Sequence, residues 1–242
     1  MARLPRLNVP SIPQHHIQRG NNRQACFGSE QDFAAYAHWL KEGAEKYRVA
    51  IHAWVFMTNH VHLLVTPKTE TGVSQLMQYL GRYYVQYFNR EYRRSGTLWE
   101  GRYKFCLLQE ESYLLQCYRS IELNPVRANI VNHPAEYIWS SYAINAQGIT
   151  SSLHTPHTLY LNLGKTAEER QTAYQSLFTS HIDKETEASI RKATNTGMVL
   201  GNDHFKDQIE ALTERRVRLK KAGRPKRKQR EGKGYDAQEI LL

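Results

Sequence analysis

Two apolar runs, VAIHAWVFM at 49–57 and HVHLLVTP at 60–67, stand only two polar residues apart, Thr58 and Asn59. β-Branched and aromatic residues at this density, broken by so short a turn, read as two neighbouring strands of a hairpin. That pair sets the frame for the rest of the chain. IPQHHIQR at 12–19 reads as a first strand, ended by the turn residues GNNRQ at 20–24. Residues 29–46 carry Phe33, Ala34, Tyr36, Ala37, Leu40 and Ala44 near helical spacing, with Ser29 and Asp32 suited to capping. A second helix spans 72–93, with Val73, Leu76, Met77, Leu80, Tyr84 and Phe88 on one stripe. FCLLQ at 105–109 reads as a fourth strand, and a third helix runs from about 112 to Pro125. The first six elements, β-α-β-β-α-β, predict an α+β fold of the ferredoxin-like split βαβ kind: one antiparallel sheet with its two helices on one face. The trailing helix must pack elsewhere on that core.

Beyond WSSYAIN at 139–145 the texture changes to AQGITSSLHTP, so residues 1–145 are expected to form the core domain. Short helical patterns in 166–181, 184–194 and 202–216 make 146–214 an expected helical C-terminal extension, and 215–242 a basic tail. The formal net charge is +10, yet 215–233 alone holds eleven Lys or Arg against the single Glu231, so the rest is close to neutral. A like-charge block of this kind is expected to be disordered when free. It suits sequence-independent attraction to phosphates, through residues such as Arg224, Lys226 and Arg227. Three cysteines without C-x-x-C spacing indicate neither a disulfide framework nor structural zinc, which fits a reducing cytoplasm. No run approaches the roughly 18 apolar residues of a spanning helix, and the N-terminus lacks an apolar export segment. A membrane partner is not expected.

Alternate residues of a strand share a face, so His60 and His62 project together while Val61, Leu63 and Val65 face the other way. Two imidazoles so placed can share one divalent ion. With eleven histidines in the chain, a coincidental pair remains the alternative reading of the residues alone. His16, on the first strand, reads as a core histidine.

Five separate stretches, RGNNRQACF, MTNHVHLLVTP, YFNREYRRSGTLWEGRYK, IELNPVRANIV and WSSY, occur in an order that resembles the HUH single-tyrosine transposases, and within them the REP-associated tyrosine transposases. The resemblance covers 1 to about 145. It implies an endonuclease and strand transferase acting on single-stranded DNA with hairpins. It also implies a divalent metal, Mg²⁺ or Mn²⁺, held by His60, His62 and Asn124, with no small-molecule cofactor. A tyrosine on the last core helix would attack the phosphorus, leaving a 5′-phosphotyrosyl link and a free 3′-OH. Asn124 can alternatively serve only to end the helix before Pro125.

The sequence departs from the family at the nucleophile. The family run is Arg-Tyr-Ile-Glu-Leu-Asn-Pro-Val, and here it reads Arg119-Ser120-Ile121-Glu122-Leu123-Asn124-Pro125-Val126. On a helix, positions 120 and 124 are about 40° apart, whereas Tyr118 lies about 160° from Ser120. Tyr118 would need a local break to reach the metal. A serine Oγ sits roughly 2.4 Å from its Cα and a tyrosine hydroxyl roughly 6.5 Å, so Ser120 falls about 4 Å short of the same phosphate. Three readings stay open: Tyr118 acts from a kinked helix, Ser120 or water acts, or the chain is a domesticated DNA-binding protein that has lost strand transfer.

Single-stranded DNA needs cations along its backbone and aromatic faces for its bases. RYYVQYFNREYRR at 82–94 interleaves both, with Arg82, Arg90, Arg93 and Arg94 expected outward and Tyr84 and Phe88 inward. The family's RGNNR motif makes Arg19, Asn21, Asn22 and Arg23 candidate DNA contacts. Arg102 is expected to border the site with Glu100, and Trp99 to border it or join the core. An RNA-binding regulator is a further rival, resting on the fold and the tail alone.

Overall fold

The computed structural model describes residues 7–179 and 183–218, and the tail residues Arg224, Lys226 and Arg227 lie outside them. Strands β1 (Gln14–Arg19), β2 (Val49–Met57), β3 (His60–Pro67) and β4 (Lys104–Leu107) form one sheet in the order β2-β3-β1-β4, antiparallel at every step. Helices α1 (Glu30–Lys46) and α2 (Gly72–Glu91) connect them and cover one face. This is the ferredoxin-like α+β arrangement. Thr58 and Asn59 form the tight turn between β2 and β3, and Ser29 and Asp32 form a capping box at the start of α1.

Several boundaries differ from the sequence reading, and three of them have a local reason. The first strand begins at Gln14 because Pro13 has no N–H to offer the ladder, although its carbonyl still accepts from Leu108 N at 2.9 Å. The last strand ends at Leu107 because the backbone of Leu108 and Gln109 turns to bond Pro13 and Leu200. That releases α3 (Glu110–Glu122) to start two residues early, with Glu110 and Glu111 in its first turn, where carboxylates complement the helix dipole.

The face under α1 and α2 is rich in aromatic side chains. Val61, Leu63 and Val65 of β3 meet Leu40, Leu76, Leu80, Tyr36 and Tyr84, all buried. Each leucine buried this completely contributes about 1.5–3 kcal/mol. The opposite face carries α3, α4 (Asn124–Arg127), α5 (Tyr142–Gln147), α6 (Thr158–Leu161), α7 (Ala167–Ser176) and α8 (Lys184–Thr196). α8 lies against β4 and β1, and α9 (Asp203–Thr213) follows it. Residues of the C-terminal extension therefore cover the sheet face towards which His60 and His62 point. Among the described residues no helix is long and apolar enough to cross a membrane.

Candidate active site

The β3 residues that alternate with the buried Val61, Leu63 and Val65 are His60, His62 and Leu64, and Leu64 belongs to the core under α3. Period two thus carries both imidazoles to the α3 side, with ring centroids 5.1 Å apart and planes at 69°. They open on a cavity of about 580 Å³ whose other walls are the end of β1, residues 100–104, the end of α3 and one side of α8. Five cations, Arg19, Arg102, Lys104, Arg127 and Arg191, line it against two carboxylates, Glu100 and Glu187. Glu187 is engaged by Arg191 at 2.9 Å and Arg127 at 3.4 Å. The remaining positive charge suits a phosphodiester.

Ser120 and Asn124 both line this cavity, as their 40° separation requires. The Asn124 amide nitrogen donates to the Ser120 and Ile121 carbonyls at 3.0 and 3.2 Å, tying off the end of α3. That use of the nitrogen leaves Oδ1 as an available oxygen ligand. Tyr118 goes elsewhere. It is fully buried, with its ring 6.0 Å from that of Tyr174, and it is not part of the cavity wall. α3 runs unbroken from Glu110 to Glu122, without the kink that would bring Tyr118 round. Among the described residues no tyrosine lines the cavity.

Burial depresses the imidazoles. The His60 ring is held down at about 4 by burial and then by Arg19. Burial, reinforced by His15, His60, Arg127 and Arg19, places His62 well below the ordinary value. All are neutral at pH 7, the state a cation requires of its ligands. Among the described residues no group of three or more His, Cys, Asp or Glu side chains is placed to hold a metal ion, so any ion here could draw only on the two imidazoles and the Asn124 amide oxygen. This mixed nitrogen and oxygen set suits Mn²⁺ better than the harder Mg²⁺.

Several site residues leave no trace in local sequence patterns. His15 of β1 lies edge to edge with His62, ring centroids 5.1 Å apart and planes within 17°, with His15 Nε2 2.9 Å from His62 Nδ1. Its neighbour His16 faces the other way, onto Tyr103 and Phe105. Asn59 Oδ1 lies 2.6 Å from His60 Nδ1, so this turn residue also orients a ligand candidate. Trp99 is core, stacked on Tyr84, while Glu100 and Arg102 line the cavity.

Of the residues expected at DNA, Arg19 is in the cavity wall, and Asn21, Asn22 and Arg23 form an adjoining 3₁₀ turn. Asn22 and Arg23 have φ of 50° and 60°, a left-handed conformation that Asn tolerates better than Arg. Arg94, past the end of α2, reaches this turn through Gln24 at 3.4 Å, while Arg90 and Arg93 are exposed nearby in sequence. Arg82 is exposed two turns earlier on α2.

Comparison with known proteins agrees with this layout. The family described as "Transposase IS200 like" matches residues 8–120. A solved structure of a REP-associated tyrosine transposase bound to a REP hairpin superposes with a TM-score of 0.50 at 14% identity, over 65% of this chain and 93% of that one, which shows the shared fold. A candidate transposase from Deinococcus radiodurans R1 has a TM-score of 0.36 at 22% identity, over 50% of this chain and 96% of that one. The comparison with curated proteins gives no match. The matched residues, 8–120, run from ahead of β1 to Ser120 in α3, so the likeness to the IS200-like transposases covers the whole sheet, α1, α2 and most of α3.

Proposed function

We propose that the chain binds single-stranded DNA bearing a hairpin and holds one phosphodiester in the cavity against a divalent ion, Mn²⁺ or Mg²⁺, for cleavage. The observation that carries this reading is the meeting of His60, His62, Ser120 and Asn124 in one cavity walled by five cations. That the structural neighbour is bound to a REP hairpin supports the choice of partner. His60, His62 and Asn124 would hold the ion, which when bound polarises a phosphoryl oxygen. Arg19 and Arg102 neutralise and orient the non-bridging oxygens, and the 21–23 turn with Arg90, Arg93 and Arg94 tracks the strand beside it. Such a partner puts the protein at the nucleoid in the cytoplasm.

The oxygens available for attack in the cavity are Ser120 Oγ and water, and the short reach of serine favours water. Water attacks phosphorus, the bond to the 3′ oxygen breaks, and the proton lost by water ends on that oxygen. The products are a 3′-OH and a 5′-phosphate. A phosphotyrosyl link through Tyr118 would require α3 to unwind, because that ring is packed against Tyr174. The same burial favours a second reading, hairpin binding without strand transfer.

The test is to incubate the full chain with hairpin oligonucleotides from the DNA flanking its gene, in Mn²⁺ or in chelator, and to resolve products on a denaturing gel. Metal-dependent scission without a covalent adduct, lost in His60→Ala and His62→Ala, is the expected result. An adduct mapping to Tyr118 would restore the tyrosine mechanism. Tight binding without scission would establish the second reading, and preference for a ribose hairpin would establish an RNA partner.

A further inference from the structure

We propose that His15 and Thr194 form a positioning relay that fixes His62 in the tautomer offering Nε2 to a metal, which makes α8 a working part of the site. The proposal rests on the reading that His60 and His62 hold the ion.

The hydrogen-bond directions follow from one end. Thr194 is fully buried on α8, and its hydroxyl donates to the Ile190 carbonyl at 2.8 Å. A hydroxyl has one proton, so towards His15 Nδ1, 3.0 Å away, Oγ1 can only accept, and that nitrogen carries the hydrogen. Cys106 Sγ, 3.1 Å from the same oxygen, is a second donor to it. A neutral imidazole has one N–H, so His15 Nε2 is an acceptor, and the proton of the 2.9 Å contact belongs to His62 Nδ1. His62 Nε2 keeps its lone pair.

At His60 the same result is reached locally. Asn59 Nδ2 donates to the Arg23 carbonyl at 3.3 Å, which sets the amide orientation, and Asn59 Oδ1 accepts from His60 Nδ1. One ligand candidate is thus oriented by its own turn, and the other through β1 and α8. Without the Thr194 hydroxyl, His15 Nδ1–H has no acceptor in a buried place. The cheaper arrangement moves its proton to Nε2, which then donates to His62 Nδ1 and forces the His62 proton onto Nε2, where a metal would bind.

The experiment uses the full chain, metal-free, with ¹⁵N-labelled histidine, and reads the His62 tautomer by long-range ¹H–¹⁵N correlation. Mn²⁺ titration of the same samples gives the affinity. In the unmodified protein His62 is expected to carry its proton on Nδ1, and a proton on Nε2 would overturn the relay outright. Thr194→Val should shift His62 towards the Nε2–H form and weaken Mn²⁺ by about 10- to 100-fold, and Thr194→Ser should restore both. An unchanged tautomer and affinity in a folded Thr194→Val also overturns it. If the unmodified protein shows no Mn²⁺ binding that His62→Ala removes, the metal reading itself falls, and with it the purpose of the relay, whatever the tautomer.

Discussion

The two faces of the sheet are built from different materials. Under α1 and α2 most contacts are between rings and aliphatic chains: Phe27, Tyr36, Phe56, Tyr84 and Trp99 touch one another in stacked, tilted or edge-on pairs, and the buried Asp32 accepts from Tyr87 and Tyr92 beside them. Under α3 and α8 buried polar groups run through the packing. His15, His62 and Thr194 form one chain of hydrogen bonds. Glu122 forms another, accepting from Ser141 at 2.5 Å, Asn145 at 2.9 Å and Tyr174 at 2.7 Å. Non-directional packing tolerates small shifts, whereas a buried donor left without its acceptor costs about 1–3 kcal/mol. Both faces bury apolar side chains, and the second in addition fixes side-chain positions through its hydrogen bonds.

The largest effect that would test this division is His62→Ala. It should reduce metal-dependent scission by at least about 100-fold, while the melting temperature moves by no more than about 4 °C, equivalent to about 1 kcal/mol. Scission assays and thermal melts on one preparation check it, and comparable losses in both would erase the contrast between the faces. Leu80→Ala on the face under α1 and α2 should do the reverse. Truncating a fully buried leucine lowers stability by about 2–5 kcal/mol, read in urea melts, and should leave Mn²⁺ affinity unchanged in the folded protein.

A pH experiment sharpens the same contrast. Burial raises the Glu122 carboxyl to about 7 against its three hydrogen-bond donors. The folded chain then holds this proton more tightly than the unfolded chain, whose carboxyl titrates at about 4.3. The resulting stability is fully present below that lower value and is lost as pH rises through about 7, by an amount on the order of 3 kcal/mol. Glu122→Gln should abolish that slope, so the difference in unfolding free energy between variant and parent should change between pH 4 and pH 8. A constant difference would contradict the raised carboxyl. The smallest effect is expected at Tyr118→Phe: scission within about twofold and stability within about 1 kcal/mol of the parent. Loss of scission there would mean that α3 opens during the reaction.

How much was readable in advance follows the range of each interaction. The stripe Val73, Leu76, Met77, Leu80, Tyr84 and Phe88 is the buried side of α2, because helical period and burial are both local properties of one segment. Period two likewise put His60 and His62 on one side, and helical geometry put Ser120 and Asn124 together and Tyr118 apart. Boundaries were less legible where a distant partner decided them, as when Leu200 takes the backbone of Leu108 and Gln109 away from the expected strand.

The sequence by itself determined the element order, the ferredoxin-like sheet, and which residues of each element share a face, since these depend on the 2.0 and 3.6 residue periods. Only the tertiary structure decided that His15 rather than His16 meets His62, that Thr194 meets His15, and that α8 closes the cavity with Glu187 and Arg191. The partners in those two contacts are 47 and 179 residues apart in the chain. A hydrogen bond over such a separation imposes no periodicity on the residues between, so it becomes visible only when packing has brought its ends together.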